Sequence, residues 1–560
     1  MSAAVVDPIT VEVVGNALMA CAEEVAAALI RTAFSSNIKE RADCSVAVFD
    51  GKGQLIIQAE HIPIHLGSLL GIVEHITRRY PVDKIAPGDV FIANDPYNGG
   101  GTHLPDITIA QPVFHEGKIV AFVANIAHHS DVGGRVPGSN SGDTRHIFEE
   151  GLRIPPVKIQ NAGEIDQDIL DLVLLNSRLP RERSGDLRAQ IFASSIGADR
   201  IRSLFAKYGA ANLQACLDSL LDYAERRIRA RIAAIPDGIY RFTDYLDDDG
   251  VDPSPVPIVT AVSVRGDTLY LDFAGSGRHA RGALNVVKTA LMATVYYAVK
   301  AILDPGCPSN AGFQRAIQVD APPGTIVNAL PPAPVSARTE TCQRIVDVIF
   351  GALAQAVPER VVAGCNSTLN GINIAGVHPR TGSLYVYPET IGGGMGARPH
   401  KDGLDGVHNH VTNSSNLPIE ALETEYPLRV ERYELVQDSG GSGKYRGGMG
   451  IRRDIRVLDH DAELSTHADR QKFSPWGLDG GGNGIPGRIA VNLGQSGEYL
   501  LPSGKTSGIV LHPQDVLSII TPGGGGFGAP ACRAKQDVAR DLRDEVISVE
   551  KARRDYGFDK

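Results

Sequence analysis

The chain has 560 residues, of which 43% are hydrophobic, 21% charged and 6% aromatic, with 61 Gly and 34 Pro. That apolar share excludes a disordered polypeptide, and the glycines follow no three-residue period, which excludes collagen. A net charge of −10 supplies no basic surface for nucleic acid or an anionic membrane.

In chain order, residues 9–36 read as a helix starting near Pro8, with Leu, Val, Ala and Ile recurring around Glu23, Glu24 and Arg31. DCSVAVFD (43–50) and QLIIQ (54–58), joined through Gly51-Lys52-Gly53, form a hairpin pattern. A helix is expected over 66–80. Three strands follow in PGDVFIAND, DITIAQPVF and KIVAFVANIAHH, joined by the loop PYNGGGTHLP and the turn HEGK. Over 165–235, Leu, Ile and Ala recur every three or four residues, the pattern of a helical hairpin or small bundle. Strands return at 235–250 and around Arg265-Gly266-Asp267, and helices are expected at 283–304 and 339–357. From 426 onward the chain is β-rich. Its Gly clusters read as hairpin turns and its last segment as an exposed helical tail.

The predicted fold is α+β and β-rich, a single interwoven assembly with a helical insert. Its expected parts are an N-terminal α/β segment (1–160), the insert (161–235), a mixed α/β middle (236–425), a Gly-rich β segment (426–535) and the tail (536–560). No run of about 18 uninterrupted apolar residues predicts a membrane span. MSAAVVDPIT lacks the basic and apolar regions of a secretory leader. Seven scattered Cys without a CxxC pair read mostly as small buried hydrophobes in a reducing cytoplasm.

Familiar nucleotide and hydrolase motifs are missing. GGSGKYRGG (440–448) imitates a phosphate loop, but Asp438 stands where the first Gly belongs and Tyr445 follows the Lys. There is no G-x-S-x-G elbow and no H-E-x-x-H helix, so no nucleotide-binding residue is assigned. If the chemistry needs ATP, the ATP binds elsewhere.

The densest polar stretch lies between 94 and 151. His103-x-x-Asp106 follows a triple-Gly loop, and His128-His129-x-Asp131 follows a strand. Asp43 precedes another strand, and HIPIH supplies His61 and His65. Imidazole with carboxylate suits a divalent ion such as zinc, manganese or iron, which would polarise a carbonyl or activate water. His129 and Asp131 are candidates for orienting a ligand or acting as general base. Spacing alone leaves a solvated loop or a satisfied polar cluster as the commoner outcome. Glu149 and Glu150 read as exposed or salt-bridged. A second polar stretch, 392–425, carries His400, His408 and His410 in a Gly-rich loop of the kind that lines sites. His65, Asp95, His408 and His410 are the candidates for a substrate pocket.

Several segments resemble the hydantoinase B/oxoprolinase family, which is related to the large subunits of ketone carboxylases. They are ERADCSVAVFD, AEHIPIHLGSL, PGDVFIANDPYNGGGTHLPDI, NIAHHSDVGG, EEGLRIPPVKI, LNGINIAG, IGGGMGAR, DSGGSGKYRGGMG and PGGGGFGAP. The resemblance implies a B-type subunit with a divalent metal held by Asp43, His103, Asp106 and His128, Asp43 being the loosest match. It also implies a separate A-type subunit that binds ATP, in an α2β2 or larger heteromer without nucleic acid or membrane. The implied reaction is phosphorylation of a small cyclic amide by the A subunit, then hydrolysis of the ring C–N bond. Phosphorylation removes the resonance that protects the amide. A ketone carboxylase subunit and a non-catalytic scaffold are the alternatives.

Overall fold

The computed structural model describes residues 6–59 and 62–559, so His61 and the first five residues lie outside the described residues. Asp7 caps the first helix, Pro8–Thr32, by accepting from Thr10 N, and Pro8 occupies its first turn. This helix is long and apolar enough to cross a membrane by composition. Its Val14, Leu18, Cys21, Val25 and Leu29 are instead buried in the molecule's own core.

The strands of the first half are β1 (Cys44–Asp50), β2 (Leu55–Ala59), β3 (Val90–Ala93), β4 (Asp106–His115), β5 (Lys118–His128), β6 (Val157–Asn161) and β7 (Glu164–Ile165). They form one sheet in the order β2-β1-β5-β4-β3-β6-β7. Both faces are covered. Val46, Val48 and Val123 pack with the first helix and the helix Pro180–Tyr208, while Phe49, Phe91 and Phe122 pack with the helix Ile72–Arg79. Two covered faces explain why these strands read as continuous apolar runs rather than alternating ones. The helices Gln167–Leu175, Pro180–Tyr208 and Ala210–Ile232 occupy the expected helical stretch.

The second half starts with β8 (Gly238–Leu246), β9 (Val256–Arg265), β10 (Thr268–Asp272) and β11 (Ile317–Asp320), ordered β11-β10-β9-β8. The helix Lys288–Leu303 follows β10 in sequence, beginning five residues later than the pattern predicts. The helix Arg338–Leu353 is buried along its whole length. Two further sheets face each other around Ile374, Tyr387, Ile455, Leu464 and Leu517. One contains β12 (Gly371–Val377), β13 (Leu384–Glu389), β16 (Ala462–His467) and β19 (Lys505–Leu511). The other contains β14 (Leu428–Leu435), β15 (Ile451–Val457), β17 (Arg488–Val491), β18 (Tyr499–Leu500) and β20 (Val516–Ile520).

Two readings of the C-terminal part need correction. The Gly clusters are not mainly hairpin turns. They are stretches of backbone laid side by side, with Gly394 N donating to Pro522 O, Gly524 N to Gly448 O, Gly525 N to Gly364 O and Gly441 N to Gly524 O. A Cβ on Gly524 would lie 2.1 Å from Met395 O, and one on Gly447 1.9 Å from Gly524 O. Glycine is required there for close approach, not for a left-handed turn. The tail is not free either. Its helices Lys535–Arg543 and Val549–Tyr556 bury Val538, Asp541, Lys551 and Ala552. Lys551 Nζ donates to Asp438 O and Gly440 O at 2.7 and 2.6 Å, docking the tail on the Gly-rich backbone. Six of the seven cysteines are buried and all are free, as small hydrophobes would be.

Candidate metal centre

The register of three neighbouring strands assembles the site. Asp106 opens β4 and stands directly opposite His128, the last residue of β5. One step past the β1–β5 ladder, His128 N donates to Asp43 O at 3.0 Å. Asp43, His128 and Asp106 therefore lie in a row across adjacent strand ends. A turn closed by Asp106 N donating to His103 O folds His103 back over Asp106. Gly101 permits this. Its φ is +88°, and a Cβ there would lie 2.7 Å from Asp106 O.

Three side-chain atoms converge. His103 Nε2 is 2.9 Å from Asp106 Oδ1 and 3.1 Å from His128 Nδ1, and His128 Nδ1 is 3.2 Å from Asp106 Oδ1. His103 and Asp106 are almost fully buried and His128 is partly so. His103 Nδ1 faces the carbonyl oxygen of Ser336 at 3.1 Å. A carbonyl only accepts, so this nitrogen carries the ring hydrogen and Nε2 presents a lone pair to the carboxylate. Burial pushes the His103 imidazole down to about 3, with the Arg338 charge adding to the push, so a second proton does not resolve the clash. A divalent cation satisfies all three atoms at once. Metal bonds of about 2.0–2.2 Å place neighbouring N and O ligands about 3 Å apart. Two imidazoles with one carboxylate suit zinc, manganese or iron and leave further positions open.

The supporting contacts come from the other half of the chain. Arg338 donates to Asp106 Oδ2 at 2.8 Å and to Thr102 Oγ1 at 2.8 Å, and Thr102 Oγ1 donates to Asp106 Oδ2 at 3.3 Å. That leaves Oδ1 for the cluster. Burial would raise the Asp106 carboxyl, but the Arg338 charge against it holds it well below the usual carboxylate range. Glu150 accepts from Val335 N and Ser336 N at 2.8 and 2.9 Å, fixing the segment whose carbonyl orients His103. It is buried, not exposed as its composition alone suggested, and burial pushes its carboxyl up to about 7.

The cluster opens on a cavity of about 60 Å³, room for a few water molecules. Asp43 and His65 line it. Asp43 lies outside the trio of ligand atoms that close within 4.8 Å of one another. His65 is held by Ser45, its Nδ1 3.0 Å from Oγ, and burial lowers its pKa. The other sequence candidates are not among the lining residues. His129 Nε2 bonds Gln190 of the helical insert at 2.8 Å. Asp131 accepts from Gly133 N, Gly138 N and Arg178, so it shapes a loop. Asp95 binds Tyr97 N, Asn98 and Arg153 and braces the Gly loop. His410 Nε2 pairs with Asp347 at 3.1 Å, and His408 is partly buried, its pKa held down to about 4 by burial and the nearby Arg41. From the second polar stretch, Thr412 and Ser414 reach the cavity wall. Sequence reading missed Arg41, Asn140, Arg338, Asn373, Glu389 and His467 on that wall. Only the quoted motifs around Arg41 and Asn373 marked any of them, and without a role.

A model of the hydantoinase B/oxoprolinase family matches residues 7–530. A Methanocaldococcus jannaschii protein of uncharacterised function is 43% identical over 98% of this chain and 96% of its own length. The caprolactamase subunit beta of Pseudomonas jessenii is 34% identical over 99% of this chain and 96% of its own. The crystal structure of ATP-dependent caprolactamase from that organism superposes with a TM-score of 0.91, covering 99% of this chain and 96% of that one. The 5-oxoprolinase of Dictyostelium discoideum is 33% identical over 93% of this chain, which spans 40% of that longer polypeptide. A nucleotide-free acetone carboxylase structure shares the fold, with a TM-score of 0.90 at 21% identity over 98% of this chain and 79% of that one. The match runs along almost the entire sequence and carries the strand ends and loops of the three-ligand cluster with it, so this chain belongs to the hydantoinase B/oxoprolinase family of enzymes.

Proposed function

We propose that this chain is the metal-bearing B subunit of an ATP-dependent cyclic-amide hydrolase. The observation that carries the reading is the His103–Asp106–His128 convergence, in which the His103 Nε2 lone pair faces the Asp106 carboxylate and His128 Nδ1 closes on both, an arrangement that a cation satisfies. His103, Asp106 and His128 hold the ion, with Asp43 beside them on the cavity wall. When bound, it supplies Lewis acidity toward a carbonyl and acidifies water. Arg338 and Thr102 keep Asp106 turned toward it. Arg41 lines the same cavity, bonded to Asn37, Thr390 and two carbonyls, and makes no carboxylate ion pair among the described residues. A buried guanidinium without a carboxylate suits a phosphorylated substrate.

ATP is used by an A-type partner that phosphorylates the substrate carbonyl, and water then opens the ring C–N bond in this cavity. The missing phosphate loop and the subunit name of the caprolactamase relative support a partner, in an α2β2 or larger complex. The hydrolase is favoured over a ketone carboxylase because the lactamase chain is matched end to end at 34% identity, whereas the carboxylase likeness is one of fold. The free and mostly buried thiols fit a reducing cytoplasm. Co-expression with an A-type subunit tests the reading. Hydantoin, 5-oxoproline and caprolactam would be offered with ATP, with and without bicarbonate. Ring opening that needs ATP and not bicarbonate is expected. Carboxylated product alone would overturn it in favour of the carboxylase.

A further inference from the structure

His467 is a cavity residue with no part in the three-ligand cluster. It ends β16 directly opposite Gly371 of β12. A Cβ on Gly371 would lie 2.1 Å from His467 Nε2, so the bare glycine is what lets the imidazole lie across the neighbouring strand. The ring spans two partners. Nδ1 is 3.1 Å from Glu340 Oε1, and Nε2 is 3.1 Å from the side-chain nitrogen of Asn140. Glu340 is fully buried and is fixed by Leu369 N, which donates to both carboxylate oxygens at 3.2 Å.

A carboxylate only accepts, so Nδ1 carries the ring hydrogen. Nε2 keeps its lone pair and accepts from Asn140. Asn140 Oδ1 is buried and has no hydrogen bond among the described residues. Half a turn of that amide brings the orphan oxygen to Nε2. The site thus holds a partner for either state of the ring: the amide NH2 for the neutral imidazole and the amide oxygen for the imidazolium, with Glu340 countering the charge. A buried acceptor left unpaired beside a histidine one proton short has a purpose on this reading.

We propose that Glu340 and His467 are a proton-holding pair of the active site, taking the proton that the attacking water loses and returning it to the departing ring nitrogen. The proposal rests on the hydrolase reading above. As the water takes the place of the Asn140 amide at Nε2 and its oxygen bonds to the activated carbonyl carbon, its O–H electron pair stays on oxygen and the proton passes to Nε2. When the C–N bond breaks, its electron pair remains on nitrogen and takes that proton, returning His467 to the neutral state, while the O–H pair of the new hydroxyl forms the C=O of an acyl phosphate and its proton leaves to water. The phosphoryl group, supplied from ATP by the partner, stays on the carbonyl oxygen through this step. Other charges face the ring. Lys505 stands directly opposite on β19, but its Nζ is engaged by Asp469 at 2.6 Å and Asp248 at 3.3 Å. Arg41, Asp43, Asp106, Arg338 and Glu389 line the rest of the cavity. Glu340 is the counter-charge in contact with the imidazole.

Two measurements test this. In the full chain labelled with 15N-histidine, with His467→Gln to assign the signal, His467 should show the Nδ1–H tautomer and become doubly protonated on acidification. Glu340→Gln should make that second protonation harder. An Nε2–H tautomer, or a ring that never gains the second proton, overturns the proposal. In the assembled enzyme with ATP and hydantoin, 5-oxoproline or caprolactam, His467→Gln should lower kcat by about 10²–10⁴-fold and remove one limb of its pH profile. Metal content should stay unchanged and KM should change little. An unchanged kcat and pH profile also overturns it. If the wild type opens none of these rings, the hydrolase reading fails, and the nitrogen spectrum alone decides whether His467 stores a proton.

Discussion

Arg338 decides how Asp106 is used: by occupying Oδ2 together with Thr102, it leaves Oδ1 facing the two imidazoles. Arg338→Gln should weaken metal binding about 10–100-fold, the usual cost of losing such a supporting contact, as read by chelator competition. Unaltered affinity would show that Asp106 needs no partner. Glu150 acts one contact further out. Its carboxyl is raised from 4.5 to about 7 by burial, so the unfolded chain gives up the proton first and wild-type stability falls as pH rises through that window. Glu150→Gln keeps an acceptor oxygen and cannot ionise. The difference in Tm should therefore move in the variant's favour between pH 4.5 and about 7, and parallel curves would refute the assignment. The convergence of His103, Asp106 and His128 was legible in the sequence because an H-x-x-D turn and a strand end bring chemically matched side chains together locally. Arg338 and His467 were not. They reach the site from distant segments, and no spacing rule connects residues joined only by the fold.

Strand register does most of the positioning at the scale of elements. Asp106 and His128 face each other because β4 and β5 are paired without a slip at that end. Gly101 then lets the preceding loop close. Gly101→Ala should destabilise the fold by about 1–3 kcal/mol through its φ of +88° and weaken metal binding as well. Near-wild-type Tm and affinity would show that the loop adapts. The helix Arg338–Leu353 works as a spine. It sends Arg338 to Asp106, Glu340 to His467, Arg344 to Asp469 and Asp347 to His410 and Arg470. Apolar periodicity identified the helix, but not the partners of its buried polar residues. The Gly-rich segments show the opposite limit. Their composition was plain, yet hairpin turns and side-by-side backbone have the same local signal. Only the packing shows why a Cβ is excluded. Gly524→Ala, outside the cavity wall, should lower Tm while leaving metal stoichiometry intact in the protein that folds. An unchanged Tm would mean that the segments separate readily.

The whole molecule closes one cavity with both halves of the chain. The first half brings His103, Asp106 and His128, and the second half brings Arg338, Asn373, Glu389 and His467. This is why the segments read as interwoven rather than as separable beads, and why local patterns gave the elements more readily than the site. At about 60 Å³ the cavity holds a few water molecules, so a ring substrate enters only as the walls move apart. The most direct measurement is elemental analysis of the purified full chain, paired with ATP-dependent ring opening by the assembled enzyme. Wild type should hold about one divalent ion per cluster, as a single three-ligand site requires. His103→Ala combined with His128→Ala should lose both the ion and turnover while keeping the wild-type circular dichroism spectrum. Equal metal content and equal turnover in the wild type and the double variant would contradict a metal centre at His103, Asp106 and His128.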